Sequence, residues 1–390
     1  MPINYQQVRT QIREMGGEAI RQRKELQTRI QTAQTLLNQQ AANLQELRDK
    51  VDQAVAAYPT QRCAFPIKEP LTFHAPLPEQ VEPCTVIAAD GSQIPPSRHE
   101  AVDFGLVNVG IFHMAPGETP SEQVISQLMI GDALYSSQGR LTEDMISVMR
   151  DVGERTALAG MAASEIGAVV TLTDGGLEIF REPREDKGFQ KYFNQYVDSL
   201  RTMARLRIAT AAYVDRPRAD LVVRLLELML PVAELGLVSF SDRPLGGVTD
   251  AMLYSEVMQP GERSAVLGIQ SLSARDFTDE ISLCFFYLNV ASAGAKPYLA
   301  RVEIPAWVAD SPDLLDRVHS VLYSQAQLFG IRPYPYALHR AHEVAVVRYE
   351  EREQVEMMIN AELMAQGMPI DTTSNKQSGK NLPGRTRVES

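Results

Sequence analysis

The chain has 390 residues, 44% of them hydrophobic and 22% charged, with a formal net charge of −11. That balance is ordinary for a folded chain and excludes full disorder, a collagen-like fibre and a disulfide-dense mini-protein. The acidity argues against an open, sequence-blind nucleic-acid surface, though not against an enzyme that holds nucleic acid in a local basic groove. No run approaches the roughly 20 apolar residues of a membrane span. The opening MPINYQQVRTQIREMGG lacks the apolar core of a signal peptide. Three cysteines, Cys63, Cys84 and Cys284, form no CxxC pair, so a reducing cytoplasm and no membrane are expected.

Residues 1–60 read as a helical arm, with no Gly after Gly17 and no Pro between Pro2 and Pro59. Ile30, Leu37, Leu44, Val51 and Tyr58 recur at heptad spacing, with Ala33, Leu47 and Ala54 on the next row and Gln40 interrupting it. This alternation is that of a coiled coil or helical hairpin, packed on its own domain or docking a partner. Six prolines from Pro59 to Pro83 mark 61–83 as an extended linker. The globular body is expected over 84–360, and the polar stretch 369–390 reads as a disordered tail.

Within the body, CTVIAAD (84–90) is a short apolar run ending in Asp90. Strand candidates follow at 98–114 and 122–131. The segment 141–167 has helical periodicity, with Thr142 as N-cap and Asp144 in the first turn. GAVVTLTDGG (167–176) is a buried-type strand ending at Asp174. A helix near 189–207, a strand at 206–215 and a helix near 219–235 complete the series. Short connections make the first three strands an antiparallel meander, and helix-separated strands add in parallel. The fold class is therefore α/β, a ribonuclease-H-like mixed sheet flanked by helices, with the N-terminal helical arm attached.

That topology sets Asp90 beside Asp174 and lets the helix between them project Glu154 toward both. Converging carboxylates repel unless a cation sits among them, and hard oxygen donors suit Mg2+ or Mn2+. Two such ions about 4 Å apart serve phosphodiester hydrolysis. Alone, each Asp-Gly pair is an ordinary turn signal and Glu154 an ordinary exposed glutamate; the order of the three carries the reading. Glu143 and Glu165 flank the same region as alternatives. In GIRPYPYALHRAHEVAVV (330–347), a helix from about Tyr336 buries Leu338, Ala341 and Ala345, with His339 and His342 three residues apart on it. Such a histidine pair is usually structural, yet a C-terminal histidine closes many ribonuclease-H-like sites.

The ordered motifs ADGSQ (89–93), Arg150…Glu154, LTDGGL (172–177), YVDRP (213–217), PGERS (260–264), ARVEIPAWV (300–308) and YPYALHRAH (334–342) resemble the NurA nucleases. That resemblance spans 84–360. It implies a Mn2+-dependent 5′→3′ exonuclease on single- and double-stranded DNA with single-strand endonuclease activity. It also implies a homodimer that docks on a hexameric HerA ATPase in double-strand-break end processing. Carried over by motif, Asp90, Glu154 and Asp174 match the metal carboxylates, His342 the further ligand or catalytic histidine, and Tyr334 the active-site tyrosine. Gly176 stands where the family often has Ser. The competing expectation is a catalytically silent adaptor of the ATPase ring. Arg216, Arg243 and Arg263 can clamp phosphates or pair with nearby acids, and Trp307 reads as core rather than a base-stacking platform.

Overall fold

The computed structural model describes residues 3–79, 81–96, 102–136, 139–179, 187–230, 243–330 and 332–367. The tail expected at 369–390 lies outside the described residues. The strands are β1 (Cys63–Pro66), β2 (His74–Ala75), β3 (Thr85–Ile94), β4 (Phe104–Met114), β5 (Ser121–Ile130), β6 (Tyr135–Ser136), β7 (Gly139–Arg140), β8 (Val169–Asp174), β9 (Ala209–Val214), β10 (Arg263–Ser264), β11 (Leu267–Gln270), β12 (Leu283–Asn289) and β13 (Leu299–Pro305). The helices are α1 (Tyr5–Gln40), α2 (Leu44–Ala57), α3 (Glu143–Ala162), α4 (Lys187–Arg205), α5 (Leu221–Glu227), α6 (Asp250–Tyr254), α7 (Ala306–Ala309), α8 (Pro312–Gln327), α9 (Tyr336–Ala345) and α10 (Tyr349–Ala365). The expected single body from 84 to 360 falls into two compact units. One gathers Met1–Pro83, Asp174–Glu178 and Arg207–Tyr336; the other gathers Cys84–Thr173, Ile179–Leu206 and Ala337–Ser390.

In the unit containing Cys84–Thr173, β3, β4 and β5 form the expected antiparallel meander, and β8 lies parallel to β3 with Ala89 opposite Thr173. This is the ribonuclease-H strand order, and α3 supplies the crossover that a parallel pair requires. The α3 N-terminus is set by Thr142, whose hydroxyl accepts from the Met145 N–H at 3.2 Å. Met145, Val148, Met149, Val152 and Leu158 of α3 are buried at the spacing of one helix face. One correction concerns Asp90. It does not end its strand; β3 runs four residues further, to Ile94, and Asp90 sits opposite Gly110 of β4. A small cluster of Ile94, Phe104, Leu106 and Ile359 fastens α10 to this sheet.

In the other unit, β1, β11, β12, β13 and β9 pair antiparallel in that order. Phe285, Phe286, Tyr287 and Leu288 of β12 are wholly buried. Buried Asp250 accepts from the Val222 and Val223 N–H groups, both at 3.0 Å, and from the Tyr287 hydroxyl at 2.8 Å. It thereby satisfies two of the N-terminal amides of α5 that have no partner within the helix. The N-terminal arm is two helices, α1 and α2. The chain breaks after Gln40, where Ala41 O accepts from the Leu71 N–H at 2.9 Å. Of the predicted rows, Ala33 and Leu37 of α1 and Leu47, Val51 and Ala54 of α2 are buried within this unit, while Ile30, Leu44 and Tyr58 are half-buried. Arg29 donates to Gly246 O at 2.7 Å, which ties the second half of α1 down. The expected linker 61–83 is structured too, since it holds β1 and β2 and buries Cys63, Ala64 and Leu71. No described helix is long and apolar enough to cross a membrane.

Candidate active site

Two glycines position the side chains around Asp90. A Cβ at Gly91 would stand 2.7 Å from Glu154 Oε1 and would overlap the Arg150 side chain. The absence of a side chain there lets α3 lie on β3 with the Glu154 carboxylate against the strand backbone. A Cβ at Gly110 would meet Ala341 O at 2.6 Å and Ala345 Cα at 2.8 Å. Gly110 therefore lets α9 cross β4 at backbone contact, opposite Asp90. The end of α9 is then caught by side chains of both strands. Ala345 O accepts from Ser92 Oγ at 2.5 Å and from Asn108 Nδ2 at 2.8 Å.

This docking sets His342 Nδ1 at 2.6 Å from Asp90 Oδ2. An imidazole Nδ1–H can donate to a carboxylate oxygen in this contact, with Nε2 as the ring nitrogen not engaged by Asp90. The His342 side chain is 60% exposed and that of Asp90 16%, so the pair opens to solvent through the imidazole. His339 faces elsewhere, toward Glu343 at 3.5 Å.

Glu154 is buried. Burial, then the Asp151 charge, then Asp90, push its carboxyl well above the usual range against the opposing pull of Arg150. Arg150 lies four residues earlier on α3, with Nε 3.5 Å from Glu154 Oε1 and a bond to Asp151 Oδ1 at 2.9 Å. Burial works against the Arg150 charge, but Asp151, Glu154 and Asp90 outweigh it and raise its pKa. The two alternative glutamates stand apart. Glu143 is the first residue of α3, and Glu165 is held by His113 Nε2 at 2.9 Å.

Asp174 is the exposed last residue of β8, one beyond the registered Ala89–Thr173 pair. Thr173 is fixed by the wholly buried Arg155, whose Nη2 donates to its hydroxyl at 2.8 Å and whose guanidinium lies 5.5 Å from the Tyr196 ring centroid. Gly175 has φ +88°, and its N–H donates to Tyr213 O at 2.9 Å. The TDGG turn thus needs glycine at that position. Gly176 lies 3.0 Å, by its would-be Cβ, from buried Glu303. Tyr334 packs edge-on against Tyr213 with ring centroids 5.5 Å apart.

Among the described residues, no three His, Cys, Asp or Glu side chains stand together as a metal-ligating group. Within the unit that holds Asp90, the carboxyl groups of Asp90 and Glu154 and the imidazole of His342 are of the donor type that suits a hard divalent cation. Sequence reasoning missed Gly110, Ser92, Asn108 and Arg155. A glycine inside the apolar run GLVNVGIF is the signal that could have found the first, because an interior strand glycine marks close backbone approach. Trp307 donates to Ile208 O at 2.9 Å, in keeping with a packing role.

The meander, the parallel fourth strand and the acid–imidazole pair on the central strand define an α/β protein of the ribonuclease-H-like class. The NurA domain model matches residues 84–347, so the chain belongs to the NurA family. Among solved structures it is similar to the NurA nuclease from Sulfolobus solfataricus, with a TM-score of 0.52 and 13% identity over 92% of this chain and 98% of that one. At that identity the likeness concerns fold alone. Endonuclease V from Ciona intestinalis aligns at a TM-score of 0.30 and 10% identity over 71% of this chain and 88% of that one, too weakly to carry an argument. No curated protein matches the chain.

Proposed function

We propose that this protein is a metal-dependent DNA nuclease that hydrolyses phosphodiesters. It acts as a 5′→3′ exonuclease on single- and double-stranded DNA and as an endonuclease on single strands. The observation that carries the reading is the Asp90–His342 contact, built by two close backbone approaches beside a buried glutamate.

Asp90, Glu154, Asp174 and His342 are the residues to hold two Mn2+ or Mg2+ ions. A divalent cation supplies Lewis acidity to the phosphodiester and makes a water nucleophilic at neutral pH. Asp90 orients the imidazole through Nδ1 and leaves Nε2 to face the substrate side. Arg150 and Gly91 fix the Glu154 carboxylate against the strand, so its position costs no rearrangement during reaction. Tyr334 positions the scissile phosphate. The wider assignment is a homodimer, docked on a HerA-type ATPase ring in double-strand-break end processing. It rests on family membership.

The test is cleavage of end-labelled single- and double-stranded DNA with Mn2+, Mg2+ or EDTA, alongside Asp90→Ala. Metal-dependent loss of label from the 5′ end, abolished by EDTA and by Asp90→Ala with an unchanged melting temperature, is the expected result. Full activity of Asp90→Ala would refute the site. No cleavage under any metal, alone or with the ATPase ring added, would put the silent adaptor in its place.

A further inference from the structure

The three arginines singled out in the sequence separate cleanly. Arg243 lies between Asp220 and Glu227, with Nη2 2.6 Å from Glu227 Oε2. Arg263 makes a two-pronged bond to Glu69 at 2.9 and 3.0 Å. Arg263 is buried and Arg243 half-buried, and both commit their forks to carboxylates. Arg216 is exposed. Its Nε donates to the Tyr298 hydroxyl at 2.9 Å, and its guanidinium lies 5.4 Å from the Tyr298 ring centroid. Its two terminal nitrogens make no hydrogen bond or ion pair among the described residues.

The backbone at Arg216 is unusual. Its φ is +44°, although it precedes Pro217, and a residue before proline ordinarily takes the extended region. A left-handed non-glycine residue is costly and persists only where its surroundings hold it, most often at functional sites. The holding groups are visible. One hydroxyl, that of Tyr298, donates to Asp215 Oδ1 at 2.8 Å and accepts from Arg216. Tyr298 is in turn fixed through its N–H to the buried Asn289 Oδ1 at 3.2 Å.

The setting is also specific. Three residues before Arg216, Tyr213 is wholly buried, and its hydroxyl has no hydrogen-bond partner among the described residues. Burial first, then Asp215, Tyr298, Tyr334 and Asp174, raise the pKa of that hydroxyl. Arg216 thus leaves β9 beside the strand end that carries Asp174, within the same unit as Tyr334.

We infer that Arg216 is a DNA-backbone clamp, whose two terminal nitrogens take two oxygens of one phosphodiester while Tyr298 and Asp215 preset the fork. The inference rests on the nuclease reading above. Planar, two-pronged recognition of phosphate is what a guanidinium does and an ammonium does not. A chain of net charge −11 needs such cations placed individually. A phosphate contact carries no base information, so the clamp is blind to sequence.

The experiment measures binding of the full-length protein to a fluorescein-labelled single-stranded oligonucleotide by anisotropy, in EDTA, from 50 to 200 mM KCl. Wild type is compared with Arg216→Gln, Arg216→Lys and Tyr298→Phe, and melting temperatures are recorded for all four. Arg216→Gln should bind about tenfold more weakly. Its plot of log affinity against log salt should be shallower by about 0.7, the loss of one single-strand phosphate contact. Arg216→Lys should keep the wild-type slope and lose a few-fold in affinity, and Tyr298→Phe should do the same. Wild-type affinity and slope in Arg216→Gln would overturn the clamp. So would a loss of binding that tracks a lowered melting temperature. Failure of the wild-type protein to bind DNA in EDTA would overturn the clamp, whereas the nuclease reading falls separately, on absence of metal-dependent cleavage.

Discussion

Replacing Gly110 by Ala should uncouple His342 from Asp90 without touching either residue. The added methyl would stand 2.6 Å from Ala341 O, which is 0.8 Å short of the 3.4 Å at which ordinary contact begins. The obstructing atoms are backbone, so no side chain can swing aside; α9 itself must lift by roughly that amount. Overpacking of this kind costs about 2 kcal/mol, or roughly 5 °C in melting temperature for a unit of this size. The same shift would stretch the 2.6 Å Asp90–His342 contact to about 3.4 Å, where little of the hydrogen bond survives. A misplacement near 1 Å costs on the order of 100-fold in rate. The assay pairs thermal melting with cleavage of end-labelled DNA in Mn2+. A variant that melts within 1 °C of wild type and cleaves at full rate would show that α9 does not need the bare backbone at Gly110.

Gly160 is the control, since it sits inside α3 with nothing within 4 Å of its would-be Cβ. Gly160→Ala should raise stability by about 0.5–1 kcal/mol, as for a helix-interior glycine in open space, and a loss on thermal melting would contradict that surround. A third expectation concerns pH. Burial lowers the His319 pKa from 6.5 to about 4, while its Nε2 donates to Gly261 O at 2.7 Å. The unfolded chain therefore takes up a proton below pH 6.5 that the native state refuses until about pH 4. Stability from this group is complete above 6.5 and falls by roughly 3 kcal/mol as pH drops through that window. Urea unfolding at pH 7 and pH 4.5 should show a smaller acid loss in His319→Gln than in wild type; equal losses would refute the assignment.

Much of the unit that holds Asp90 was legible because its signals are local. The Thr142 cap, the apolar face of α3 and the apolar runs of β3, β4, β5 and β8 each lie within a few residues of what they specify. The misreadings share a cause in distant packing. Asp90–Gly91 looked like a turn because Asp-Gly usually is one. Here the glycine exists for Glu154 and Arg150, more than 50 residues later in the chain. Cys63–Pro66 looked like linker because of its prolines, yet among the described residues β1 pairs with β11 alone, and an edge strand tolerates a missing N–H. The break after Gln40 carries no Gly or Pro; its reason is the contact of Ala41 with Leu71. In the candidate site, the acidic residues and His342 could be named from sequence. The relation between Asp90 and His342 could not, since it depends on a helix crossing a strand 230 residues away in sequence.

The bond from Ser92 to Ala345 spans 253 positions, and the Asp90–His342 contact spans 252. At typical translation rates of 5–20 residues per second, the imidazole is made roughly 13 to 50 s after its carboxylate. A nascent chain therefore carries Asp90 and Glu154 long before the helix that completes their surroundings exists. A product terminated before residue 341 would leave β4 uncovered beside Asp90, with the bare backbone at Gly110 open to water. On the nuclease reading proposed above, the surroundings of Asp90 are complete only once the chain has been made through Ala345.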